Sequence, residues 1–274
     1  MKELNDRRYT GIITLAMIFI AIEVSSQNLS LVESISINSP SAVSMDRNGT
    51  IYIADNRGDI TKYDASGKEQ LKFSPDQPGA VNNIEAWSGL KIFVFYETRQ
   101  EYIWLDRFLN TSRSFLLDDP DIGRASIATA SSDQNIWILD DINLDLLKYD
   151  PNFNRILLKT SLMNVLPQKD QYEITHLKEY QNSLYIGLKD IGILVFDNLG
   201  NYVKRLPILN IDHFEFLNEE LYYQEGRQIK FYHLYNSKER SFNLPQSNNN
   251  RFVLIRQNRF FLLGNREMSI YEMK

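Results

Sequence analysis

The chain has 274 residues, 43% of them hydrophobic, with 15 Phe, 15 Tyr and 3 Trp, enough apolar mass for one sizeable core; all-β folds of this length occur as single domains. A net charge of −5, with Arg7-Arg8 and Lys204-Arg205 as the longest basic runs, argues against nucleic acid as a partner, because phosphate binding needs a clustered basic face. Cysteine is absent, which removes disulfides, thiol chemistry, thiolate metal sites and the acylated cysteine of a bacterial lipoprotein.

At the N-terminus, Lys2, Arg7 and Arg8 precede the apolar run 12–22, and Val24-Ser25-Ser26 places small residues where a signal peptidase reads. This pattern predicts a leader over 1–26, cleaved before Gln27. The mature chain, 27–274, is then exported to the periplasm, to the outer membrane's inner face or out of the cell. The run has eleven residues, short of the ~20 needed to span a bilayer, so no membrane span is expected in the mature chain.

Residues 29–37 alternate apolar and polar side chains and then meet Asn38-Ser39-Pro40, which reads as one strand without a hairpin partner. The stretch 50–73 follows, TIYIADNRGDITKYDASGKEQLKF, with Ile51, Ile53, Ile60, Lys62, Leu71 and Phe73 at two-residue spacings. That spacing predicts half-buried strands. Asp55-Asn56-Arg57-Gly58 and Asp64-Ala65-Ser66-Gly67 join them: the carboxylate can bond the backbone two residues on, and Gly accepts positive φ. With a further strand at 42–45, this gives four strands in 42–73.

Such a unit recurs at 83–117, 125–159, 174–207 and 211–244. A last unit, 251–272, has only three strands. The end of each third strand marks the period: Asp64, Asp106, Asp150, Asp197, His233 and Glu272, in steps of 42, 44, 47, 36 and 39. One meander cannot bury both its faces alone, and repetition about an axis supplies neighbours. The sequence therefore predicts an all-β, six-bladed β-propeller, with 29–37 completing the last blade and removing its free edge.

The segment Ala54-Asp55-Asn56-Arg57-Gly58-Asp59-Ile60, followed by Lys62-Tyr63-Asp64, resembles a shortened NHL-type repeat. The other blades keep only parts of it, such as KYD at Asp150 and VFD at Asp197. NHL-like propellers include binding scaffolds, lyases and lactonases, so the likeness implies architecture and not one activity. A mature N-terminal Gln resembles exported proteins of the Bacteroidota.

Enzymes similar to gluconolactonases, which are built on such propellers, hold a divalent cation with Glu, Asn and Asp at the starts of innermost strands. Asn83, Glu173, Asp212 and His213 stand at such starts around the central channel, the first three match that ligand set, and oxygen ligands suit Ca²⁺ or Mg²⁺. The three are nevertheless expected not to converge, because the blades differ so much in loop length. His176, His213 and His233 have no short ligand spacing and read as satisfied scaffold histidines, with His233 standing where other repeats carry Asp or Glu.

The turns between second and third strands carry Arg57, Arg99, Arg227 and Arg266 beside Asp55, Glu97, Glu225 and Glu267. They form either a polar ring that grips a peptide or glycan, or ordinary solvated turns whose ion pairs are worth ~0–1 kcal/mol. The longest connectors are 118–124, with Asp118, Asp119, Asp121 and Arg124, and 161–173, with Lys169 and Asp170; long connectors on a rigid scaffold are where binding resides. The acidic run lacks the spacing of a calcium loop, and no G-x-S-x-G elbow occurs. These features predict a non-catalytic, cofactor-free module that docks a protein, peptide or glycan through its loop face, in an envelope assembly or secretion complex. The alternative is a lactonase-like hydrolase that uses Ca²⁺ or Mg²⁺ at Asn83, Glu173 and Asp212.

Overall fold

The computed structural model describes residues 29–167, 172–245 and 250–273, apart from the side chains of Ser112 and Arg113. The leader over 1–26, and Lys169 and Asp170, lie outside the described residues. Each repeated unit forms one antiparallel four-stranded sheet, and six sheets follow one another. Their innermost strands are Pro40–Met45, Asn83–Glu85, Ala125–Ala130, Ile174–Tyr180, Phe214–Leu217 and Phe252–Arg256. The sixth sheet receives Leu29–Ser36 as its outer strand, from Leu29 opposite Met273 to Ser36 opposite Glu267. The fold is thus a six-bladed propeller whose ring is closed by its N-terminal strand.

Six apolar clusters hold the ring, each between two adjacent blades. This corrects the expectation of half-buried strands. Only an outer strand such as Arg155–Ser161 alternates exposed with part-buried residues; Ile51–Asp55 and Asp145–Asp150 are buried throughout, because a middle strand has a blade on either side. In Lys91–Tyr96, Ile92, Val94 and Tyr96 pack toward blade one, while Phe93 and Phe95 pack toward blade three. A two-sided strand needs apolar residues at consecutive positions, which explains the unbroken run IFVFY.

The turns are set by one recurrent device. Asp46, Asp55, Asp64, Asp106 and Asp197 each accept two backbone N–H groups, two and four residues on, through Oδ1. The marker carboxylate at the end of the third strand is thus a turn former. His233 takes the same place with its ring, Nδ1 accepting the Tyr235 N–H at 3.3 Å.

Gly58 completes such a turn at φ +89°, and a Cβ there would lie 2.6 Å from the Gly79 carbonyl oxygen. Gly58→Ala is therefore expected to lose about 2–3 kcal/mol in denaturant unfolding, from left-handed strain and the backbone clash together. A loss under about 0.5 kcal/mol would show that the turn relaxes freely.

Because strands alternate in direction, the turns between second and third strands share one face with the connectors between blades. The turns between first and second and between third and fourth strands share the opposite face. The first of these is the connector face.

Candidate functional site

Arg124 ends the connector 118–124 and is anchored at its base: Nε donates to Asp141 Oδ1 at 2.9 Å, Nη2 also pairs with Asp141, and Glu97 lies 3.9 Å from Nη1. Asp141 is buried while the guanidinium stays half-exposed. Around it opens a cavity of about 250 Å³, lined by Asn82, Glu97, Arg124, Ser126, Asp141 and Tyr172 among others. At its wall, the Tyr172 hydroxyl and the Thr175 hydroxyl are buried without a hydrogen-bond partner among the described residues. Buried hydroxyls are ordinarily satisfied by protein or water. Ile142 and Met163, 61% and 68% exposed, stand on the same face.

The remaining rim residues fall into two groups. Arg227 lines a cavity of about 520 Å³ with Asp212, His213, Gln224 and Arg251, and Arg266 lines one of about 570 Å³ with residues 36–39. Arg57 is exposed, whereas Arg99 is committed to the scaffold, its guanidinium 3.8 Å from the Tyr96 ring centroid and 2.7 Å from Glu101. Asp118 and Asp121 are exposed, and Asp119 Oδ1 accepts the Asp121 N–H at 3.0 Å.

Asn83, Glu173 and Asp212 do not share a partner. Glu173 and Asp212 meet on Lys189 Nζ, at 3.6 and 3.0 Å, on the exposed rim. Asn83 is buried in the central channel, where its Nδ2 donates to the carbonyls of Ala128 and Leu177 at 2.9 and 3.2 Å.

The channel holds what the spacing arguments missed. Lys178 Nζ lies 3.0 Å from Glu85 and 3.0 Å from both oxygens of Glu215, so it ties blade four to blades two and five. Burial works against the ammonium, yet the two carboxylates, Glu215 ahead of Glu85, hold its pKa above the ordinary lysine value. Burial pushes the Glu215 carboxyl upward, an effect that Lys178 partly offsets.

Beside this triad the rings of His176 and His213 stand 4.5 Å apart. Burial pushes His213 down to about 3, with Lys178 adding to the shift, and His176 falls well below its usual value for the same reason. Both imidazoles are therefore neutral, and the Nε2 of each is without a partner among the described residues. This corrects the expectation of satisfied scaffold histidines for His176 and His213: 37 residues apart in sequence, they become neighbours because successive innermost strands line one axis. A local signal for this channel does exist. Asn83-Ile84-Glu85, His176-Leu177-Lys178 and His213-Phe214-Glu215 each put an apolar residue between two polar ones, the apolar side chain buried in an inter-blade cluster.

No protein-family model matches the chain, and no curated protein matches it in sequence. Among solved structures it is similar to virginiamycin B lyase from Staphylococcus aureus, with a TM-score of 0.64 at 11% identity over 90% of this chain and 100% of that one. It is also similar to BamB from Moraxella catarrhalis, with a TM-score of 0.54 at 11% identity over 89% and 100% of the two chains. A third likeness is to the extracellular domain of a one-component system from B. thetaiotaomicron, at 0.54 and 13%, covering 87% of this chain and 33% of that one. At these identities the likeness is one of fold alone.

Proposed function

We propose that the chain is an exported, non-catalytic binding module that docks a partner on its connector face, centred on Arg124. The observation that carries this reading is the cavity beside Arg124, whose lining combines a half-exposed guanidinium with the buried hydroxyls of Tyr172 and Thr175, which have no hydrogen-bond partner among the described residues. Exposed Ile142 and Met163 stand on the same face, and arginine, methionine and aromatic residues are enriched where proteins meet. Among protein, peptide and glycan partners, this mixture favours a polypeptide. The leader-like N-terminus supports export, the NHL-like turn of blade one fits a scaffold propeller, and an envelope assembly or secretion complex is the proposed setting.

A tagged full-length chain, expressed in its source cells and pulled down from envelope membranes, is expected to begin at Gln27 and to bring a stoichiometric protein partner with it. Recovery of no partner, together with a measurable hydrolase activity, would overturn this reading.

A further inference from the structure

Three potential ligand atoms in the channel, one each from His176, His213 and Glu215, lie within 4.8 Å of one another. Both imidazole Nε2 atoms are buried and lack a hydrogen-bond partner among the described residues, an arrangement that buried polar atoms rarely keep without a reason. The His213 Nε2 stands 3.7 Å from Glu215 Oε1. Phe214 packs edge-on against His176 and Phe252 against His213, so the rings are held by an apolar shell.

The same cluster brings two carboxyl groups, Glu85 and Glu215, together with one ammonium, Lys178, so acidic groups outnumber basic ones around the two imidazoles and a cation is the complementary ligand.

We infer that His176, His213 and Glu215 form a binding site for one divalent transition-metal ion of the zinc class, inside the central channel. Two imidazoles and one carboxylate suit zinc and its neighbours, whereas calcium and magnesium prefer oxygen ligands throughout. Ligand atoms around a tetrahedral zinc lie about 3.3 Å apart, given bonds of about 2.0–2.1 Å, so a modest contraction of the three side chains closes the site. Lys178, bonded to Glu85 and Glu215 at 3.0 Å, fixes the position of Glu215, as supporting groups around metal ligands do. His213 also lines the wall of the cavity at Arg227, which gives the ion a route from the connector face. Three protein ligands would leave one position of a tetrahedral ion for water or a further ligand. The site is distinct from the Asn83, Glu173 and Asp212 set in residues and chemistry, and it does not rest on the docking reading.

The test uses the mature chain stripped with a chelator and then titrated with zinc chloride. One zinc per chain is expected, with a rise in Tm of about 5–10 °C at free zinc a hundredfold above its Kd. His176→Gln and His213→Gln should each lower zinc affinity at least tenfold, since even groups behind the ligands cost 10- to 100-fold. His233→Gln, at the edge of its blade, should leave affinity unchanged. Cobalt chloride added to the wild type should give the intense visible bands of a four- or five-coordinate ion, a readout that requires no variant to fold. Failure of the wild type to take up stoichiometric zinc, a cobalt spectrum no stronger than that of the hydrated ion, or undiminished affinity in both histidine variants would each overturn the assignment.

Discussion

Replacing Lys178 by Met is expected to destabilise the protein by about 3–5 kcal/mol at neutral pH, read as a fall in the denaturant midpoint at constant slope. The ammonium is the single positive partner described for Glu85 and Glu215, and all three groups are largely out of water. Met fills the volume of the aliphatic stem but leaves two carboxylates facing each other across the channel. Converting the carboxylates as well, with Glu85→Gln and Glu215→Gln in the same chain, should restore most of the loss, because removing a whole buried ionic set is often close to neutral. A Lys178→Met chain within about 1 kcal/mol of wild type would show that water, and not Lys178, compensates these carboxylates.

The second large effect is expected at the ring closure. Deleting 29–36 strips the last blade of its outer strand, removing a ladder that pairs Leu29 with Met273 through Ser36 with Glu267. At about 1 kcal/mol per ladder hydrogen bond, the loss is on the order of 5 kcal/mol, or about 10–20 °C in Tm for a chain of this size. It also uncovers Glu267–Met273 as a free edge, so the truncated chain should associate as its concentration rises. Supplying the eight-residue strand as a peptide should reverse both effects by adding the missing strand in trans. Unchanged Tm and monomeric behaviour after the deletion would mean that closure is dispensable.

The architecture was legible because each blade repeats a local code. Asp followed by Gly or Asn sets the turns, and the count of strands left one strand over at the start and one lacking at the end. Burial was misjudged for the middle strands, since alternation describes a sheet with one wet face and these have none. Boundaries moved by a residue or two: the first blade begins at Pro40 instead of residue 42, and Asn83–Glu85 is only three residues long.

On the rim, residue type alone does not tell an available arginine from a committed one. Arg124, Arg227 and Arg266 each line a cavity, whereas Arg99 is spent on Tyr96 and Glu101, a distinction set by packing and not by residue type. The channel was hardest to read. His176 and His213 are joined only by the turn of the ring about its axis, which no spacing within one blade reports. Their shared polar-apolar-polar motif acquires meaning only once the three strands are known to face the same channel.

The central claim is that a partner docks on the connector face, and the opposite face supplies its control. That face also exposes apolar side chains, Phe108 and Phe153 at 56% and 73%, each at the tip of a hairpin turn. The decisive measurement compares partner capture from envelope membranes by two double variants, Ile142→Glu with Met163→Glu on the connector face and Phe108→Glu with Phe153→Glu on the other. All four side chains are exposed, so neither pair should disturb the fold. Docking at Arg124 predicts that the first pair lowers capture at least tenfold and that the second leaves it within twofold of wild type. Capture retained by the first pair and lost with the second would place the partner on the hairpin face and contradict the account.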